Sequence, residues 1–215
     1  MAFRWCAVTL IAAIAFAFSP AAAKDYPPNE MPMYGGVTKN AEMIAADEKF
    51  IADVLKLGYT RASGSDKAVA RGWDFVRQHD IPTAMKRFNQ AWLLDPDNGD
   101  AFHGFAIVVM DRDGDAARAD DLFKQGEAKP RQSPGIYLDY GRFLLKINRP
   151  ADAIPQLRKA LTFSDMGPDA DALLTIALFQ SGDKLGACAE AAKVKDAQAD
   201  ILESVKFISN TCPKG

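Results

Sequence analysis

Small and bulky apolar positions return along this chain with one beat. Ala84, Ala119, Ala153 and Ala187 follow one another at 35, 34 and 34 residues, and four positions after each stand Phe88, Phe123, Leu157 and Ala191. Upstream, the narrow residues Gly72, Ala106, Gly141 and Thr175 recur at 34, 35 and 34. The turn pairs His79-Asp80, Gly114-Asp115, Asn148-Arg149 and Gly182-Asp183 keep the same phase. Self-similarity at this period predicts a stack of helix pairs, none of which can bury its apolar face alone. The small residues would let backbones approach, while Phe75, Phe88, Val109, Phe123, Leu144 and Leu157 fill the space between helices. Pro82 suits the first turn of a second helix. Pro155, deeper in one, predicts a local kink without a break.

Two helices flank this array. Residues 41–57 carry Ile44, Phe50, Ile51, Val54 and Leu55 on one side, with Asn40 as cap and Gly58 as stop. Residues 197–208 place Ile201, Val205 and Ile208 at helical spacing. Terminal repeats need their open face covered, so both helices are expected to act as caps. The expected organisation is a leader over 1–23, a Pro/Gly-containing extended segment over 24–39, a capping helix and linker over 40–64, three to four repeats over 65–195, and a capping helix with tail over 196–215.

The leader is read from Arg4, an apolar core over 5–18 broken only by Thr9, a Ser19-Pro20 break and the small residues Ala21-Ala22-Ala23. Its core is too short to span a bilayer comfortably. Cys6 lacks the context for lipid attachment, so a periplasmic or secreted chain beginning at Lys24 is expected. The next residues, 25–36, hold three prolines and two glycines and are expected to be extended and mobile. Yet Met31, Met33 and Tyr34 are unusual in a flexible linker. They suggest packing on the first repeats, either as a cover for the capping helix or as a lid over a groove.

Charge narrows the partners. Of 26 basic side chains one, Arg4, lies in the leader, leaving 25 against 28 acidic ones, a net charge of −3. Nucleic acid binding needs a clustered positive field, so no nucleic acid partner is expected. The helices are too mixed in charge for a membrane surface, so no membrane contact is expected after leader removal. Beyond the leader two cysteines remain, Cys188 and Cys212. In an oxidising compartment an even pair points to a disulfide. The alternative is a buried Cys188 and a loose Cys212.

The segment Arg87-Phe-Asn-Gln-Ala-Trp-Leu-Leu-Asp-Pro-Asp-Asn98 brings the repeat closest to a known pattern. Ala84, Phe88, Ala91 and Pro96 resemble the second half of the tetratricopeptide repeat, W-x2-L-G-x2-Y, then A-x3-F, then A and P. Tyr137, Gly141, Ala153, Ala160 and Leu161 match in the third unit. Phe102, Ala106, Ala119 and Phe123 match in the second, with one inserted residue near Asp113. The fourth is weakest, with Ala191 where an aromatic is expected. The wording around Phe88–Pro96, and Met31-Pro-Met-Tyr-Gly-Gly, is also similar to exported bacterial tetratricopeptide proteins of unassigned role.

This resemblance implies an all-α, right-handed superhelical array of antiparallel helix pairs whose first helices line a concave face. The partner-binding residues it implies are Trp73 and Arg77, then His103, Ile107 and Met110, then Leu138, Arg142 and Lys146. Val69, Val76, Asp111, Leu145, Ala172, Ile176, Phe179 and Gln180 complete the same face. Its apolar members either pack neighbouring first helices together or stay open to an extended peptide bearing an apolar side chain and a carboxylate.

Catalytic signals are poor. His79 and His103 have no His or Cys at metal-ligand spacing. Asp111, Asp113 and Asp115 start like a calcium loop, but Gly114 is misplaced and Leu122 stands where the closing Glu should be. No nucleophile motif or phosphate-cradling glycine run is present, and no metal or cofactor is expected. The expected function is an exported, non-enzymatic scaffold for a protein or peptide partner in the bacterial cell envelope. The alternative is a hydrolase or carbohydrate-active protein with its site assembled across repeats.

Overall fold

The computed structural model describes residues 26–163, 169–195 and 197–213. The leader expected over 1–23 lies outside the described residues. Ten α-helices follow one another among them: α1 (Ala41–Lys56), α2 (Arg61–Arg77), α3 (Ile81–Leu94), α4 (Gly99–Asp113), α5 (Ala116–Glu127), α6 (Gly135–Lys146), α7 (Pro150–Ala160), α8 (Asp169–Ser181), α9 (Lys184–Ala191) and α10 (Ala199–Thr211). None of the described helices is long and apolar enough to cross a membrane. The pairs α2–α3, α4–α5, α6–α7 and α8–α9 pack internally, and each pair meets the next through α3–α4, α5–α6 and α7–α8. This is an all-α solenoid.

The repeating turns have one backbone geometry. His79 (φ 60), Gly114 (φ 67), Asn148 (φ 59) and Gly182 (φ 95) all adopt the left-handed conformation that ends a helix sharply. After three of them, the following residue donates its N–H five residues back: Asp80 to Phe75, Arg149 to Leu144 and Asp183 to Leu178. Asp80, Asp115 and Asp183 then cap the next helix through their carboxylates. The third turn has Arg149 instead, whose guanidinium binds Asp152 one turn on. The α7 helix runs through Pro155 to Ala160.

Close approach sets the core. Phe88 on α3 is fully buried, and a Cβ on either Gly72 of α2 or Gly104 of α4 would fall inside the space of its ring. Leu157 on α7 similarly occupies the space above Gly141 on α6, 2.6 Å from where a Cβ would be. Val109, Phe123, Leu144 and Leu157 are buried as expected. Phe75 differs. It is half-buried, with the Arg87 guanidinium 5.7 Å from its ring, because it sits at the open end of the first pair with no earlier repeat to cover it.

The two ends are closed differently. At the C-terminus, α10 buries Ile201, Val205 and Ile208 and packs on α8 and α9, and the Cys188–Cys212 disulfide staples its end to α9. At the N-terminus, α1 has its Asn40 cap, yet none of its residues is fully buried.

Residues 26–36 are not extended as expected. They form two 3-10 turns, Pro28–Glu30 and Pro32–Gly36, that pack on α3. The reason is one buried side chain. Asn89 accepts from the Tyr34 N–H (3.2 Å) and donates to the carbonyls of Asn29 (3.0 Å) and Met31 (2.8 Å). Met33, Tyr34, Gly35 and Gly36 all take positive φ to present these groups. Such a conformation costs an L-residue about 1–2 kcal/mol. The Tyr34–Trp92 ring contact at 6.4 Å and Lys39 over the Tyr34 ring at 3.9 Å help to offset it. Burial, with the Asp47 carboxylate, pushes the Tyr34 hydroxyl up to about 12. Further along, Tyr26 bonds Asp113, and Arg112 bonds the Glu30 carbonyl.

Two outcomes test this packing. Phe88→Ala should cost about 3–5 kcal/mol, as core aromatic truncations do. A shift in melting temperature of only about 1–2 °C would instead place Phe88 at a surface. Reduction should add two hydrogens to the intact mass of the oxidised chain, and Cys188→Ser should cost about 3 kcal/mol. A mass unchanged by reductant would mean two free thiols.

Candidate partner-binding face

The first helices α2, α4, α6 and α8 carry the candidate residues, and α2–α4 and α6–α8 touch directly. Trp73 lies edge-on to Phe88 (5.3 Å) and to the imidazole of His103 (4.8 Å). His103 is buried, and its Nε2 is 3.0 Å from Asp139 Oδ2 on α6. Arg142, one turn along α6, donates to Asp139 Oδ1 (2.6 Å) and to Asp169 Oδ2 on α8 (3.2 Å). Trp73, His103 and Arg142 thus belong to one chain of contacts that crosses all four first helices.

Electrostatics make Asp139 the centre of that chain. Burial works against its charge, but the His103 hydrogen bond and charge together with the Arg142 guanidinium prevail. They hold the carboxyl below its ordinary range. A second polar knot lies between α5, α6 and the start of α7. Asp120 accepts from Tyr140 (2.8 Å), Arg149 (3.0 Å) and Lys124 (2.6 Å). A third ties the helix starts together. Asn98 donates to Ser65 (2.9 Å) and Asp66 (3.1 Å), while Arg131 binds Asp66 (2.7 Å) and Asp95.

The apolar members of the face pack between helices without all being covered. Trp73, Val76, Ile107, Met110, Leu138, Leu145, Ile176 and Phe179 pack against the core yet stay half-buried, while Val69 and Ala172 are buried outright. The last turns of the four first helices bear an exposed row, Arg77, Asp111, Lys146 and Gln180. Arg77 pairs only with Asp74 on its own helix (2.5 Å), and Lys146 makes no ion pair among the described residues.

Several partners in these networks were invisible in the sequence. Asp139, Asp169 and Asn89 fall in no motif. The one usable signal is that Asp139 and Arg142 stand three apart on a helix, the spacing of an intrahelical pair. Among the described residues no group of three or more His, Cys, Asp or Glu could hold a metal ion. Asp113 is occupied by Tyr26 and Arg112, and Asp115 caps α5.

The arrangement places the chain in a class. No protein-family model and no curated protein matches it. Solved structures do. One neighbour is YrrB, described as a TPR protein with an unusual peptide-binding site (17% identity, 66% of this chain and 75% of that one, TM-score 0.54). Another is PilF of Pseudomonas aeruginosa (17%, 72% and 79%, TM-score 0.56). A third is PilW, described as a type IV pilus biogenesis factor (22%, 68% and 70%, TM-score 0.56). The chain has the tetratricopeptide-repeat fold.

The Asp139 chain predicts an acid response. A carboxylate whose folded pKa is lowered stabilises the fold fully above its unfolded value, about 3.9. That contribution is lost as pH falls through the lower folded value. Asp139→Asn should therefore cost about 1–3 kcal/mol at neutral pH. Denaturant titrations should find the gap between the two proteins closing below about pH 4. A gap that stays constant down to about pH 2 would mean the Asp139 charge contributes nothing.

Proposed function

We propose that this chain is an exported scaffold that binds an extended peptide or protein segment along its first-helix face, in the bacterial cell envelope. The observation that carries the reading is the band of eight half-buried apolar side chains from Trp73 to Phe179, bordered by the exposed cations Arg77 and Lys146. A face of this kind suits a ligand with apolar side chains for the band and a carboxylate for the edge. Half-buried side chains are already ordered by the core, so a partner gains contact area at little conformational cost.

The fold supports the reading, since it is shared with a protein described as having a peptide-binding site and with a pilus biogenesis factor. Export is supported by the leader pattern over 1–23 and by the Cys188–Cys212 disulfide, a bond that persists in oxidising compartments.

The test uses the two edge cations, because Trp73, His103 and Arg142 are committed to packing and their loss would also weaken the fold. Arg77→Glu/Lys146→Glu should melt with the parent. It should retain envelope proteins at least about tenfold less tightly, a loss of about 1.4 kcal/mol. Retention of the same proteins in undiminished amount would defeat the reading of the face. Expression in a bacterial host, followed by N-terminal sequencing, should find the chain beginning at Lys24. A chain that keeps its first 23 residues in the cytoplasm would defeat export.

A further inference from the structure

The capping helix α1 is poorly packed for what its sequence offers. It is amphipathic and correctly capped, yet none of its residues is fully buried, and Val54 reaches Gly64 of α2 (2.7 Å to a Cβ built there). Protein interiors are normally filled to crystal-like density. Beneath α1 the packing gives way to space that opens to solvent. Two adjoining cavities of about 280 and 310 Å³ lie there, sharing Phe50, Arg87 and Gln90.

The cavities differ in charge. The first has apolar walls from Phe50, Val54 and Leu57 on one side and from Ala68 and Leu94 on the other. Lys67, Arg71 and Arg87 also line it, and no carboxylate does. Lys67 and Arg71 make no ion pair or hydrogen bond among the described residues, and Arg87 bonds only the Gln90 side chain (2.8 Å) while lying over Phe75. In the second cavity the charges are matched. Asp47 is held by Lys39, and Lys86 pairs with Glu30 (2.9 Å). Its remaining lining is mixed, with Ala46, Leu93 and Tyr34 beside Asn29 and Thr83.

We infer that the space beneath α1 is a binding site for a small amphiphilic anion, a single apolar chain ending in a carboxylate or phosphate. The headgroup sits among Lys67 and Arg71, both exposed, and the half-buried Arg87, three cations that line the first cavity with no carboxylate beside them. The tail lies in the first cavity, against Phe50, Val54, Ala68 and Leu94. The size lies at the lower end of the range that encloses small ligands. Occupancy would supply the core that α1 lacks and would fix the helix to the first repeat. This site involves α1, α2 and α3 and does not depend on the peptide-binding reading of the first-helix face.

The test is calorimetry on the full mature chain with dodecanoate and dodecyl phosphate, each below its micelle concentration, and with dodecan-1-ol and dodecyltrimethylammonium as controls. One equivalent of at least one anion should bind, at least tenfold more tightly than the alcohol, with no binding of the ammonium. Whichever anion binds identifies the headgroup preferred. Lys67→Glu/Arg71→Glu should weaken it at least tenfold while leaving the melting temperature of the free protein unchanged. Ala68→Leu, which fills the first cavity from the array side, should abolish it. Amide exchange across residues 41–56 should slow when the anion is present. The inference is overturned if neither anion binds, if the alcohol binds equally well, or if the charge reversal leaves the affinity of a folded protein intact.

Discussion

The ring of Phe88 lies between Gly72 of α2 and Gly104 of α4, and the geometry of the array depends on that contact. One side chain on a second helix fixes two distances at once, the separation within its own repeat and the separation to the next. Neither glycine can grow without displacing the ring. The same logic recurs with smaller groups. Phe123 stacks on Tyr140 at 4.8 Å, Leu157 rests over Gly141, and Ala191 fills the equivalent place in the last repeat. The filling side chain shrinks from Phe to Ala along the array, so interdigitation weakens towards the C-terminus. It is there, between α9 and the end of α10, that a covalent bond supplements packing. The disulfide stands where apolar volume has run lowest.

Phase is maintained by turns as much as by packing. Each pair of helices is folded back by one left-handed residue, and glycine fills only two of the four places. His79 and Asn148 accept the conformational cost of that region. The reason is local satisfaction of the backbone: the residue that follows each donates to a carbonyl five residues back, at 3.0 Å from Asp80 and 2.8 Å from Arg149. A shift of one residue in either turn would unpair that donor and rotate the next helix by about 100°. The beat is thus enforced at the start of each second helix.

How much of this could be read from the sequence follows from the range of the interactions. Small residues, turn residues and caps act on nearby neighbours, so their spacing exposed the array and the Asn40 cap directly, while the disulfide followed only from the count of two cysteines beyond the leader. Contacts made through main-chain atoms leave no such trace. Met31, Met33 and Tyr34 pointed to packing on the first repeats, but Asn89 looks like any helical polar residue, and its three bonds to the backbone of residues 29–34 give the docked segment its turned conformation in place of the extended one expected. His103 was legible as a member of the inner face, but not its depth. That depth comes from Trp73 and Phe123 closing over the ring and from an aspartate 36 positions away. The gap beneath α1 was hidden for a third reason: apolar periodicity shows which side of a helix turns inward, not how near it comes to its neighbour.

On the proposed reading of the first-helix face, the chain from Trp73 to Asp169 also constrains how it would select a partner. Its charged members are already spoken for: the Asp139 carboxylate by His103 and Arg142, and the Arg142 guanidinium by two aspartates. A ligand that sought any of these charges would have to break a satisfied contact in a partly dehydrated site, which costs more than a surface ion pair returns. The floor of the face can therefore offer mainly shape and apolar area. Charge discrimination falls to the rim, where Lys146 is exposed and unpaired and Arg77 shares only an intrahelical partner. Two cations on this edge, separated by the exposed Asp111 of the intervening repeat, favour acidic groups spaced two repeats apart over a continuous acidic run. On that proposal, specificity would reside in the last turn of each first helix, while the residues that stitch the helices together hold the fold.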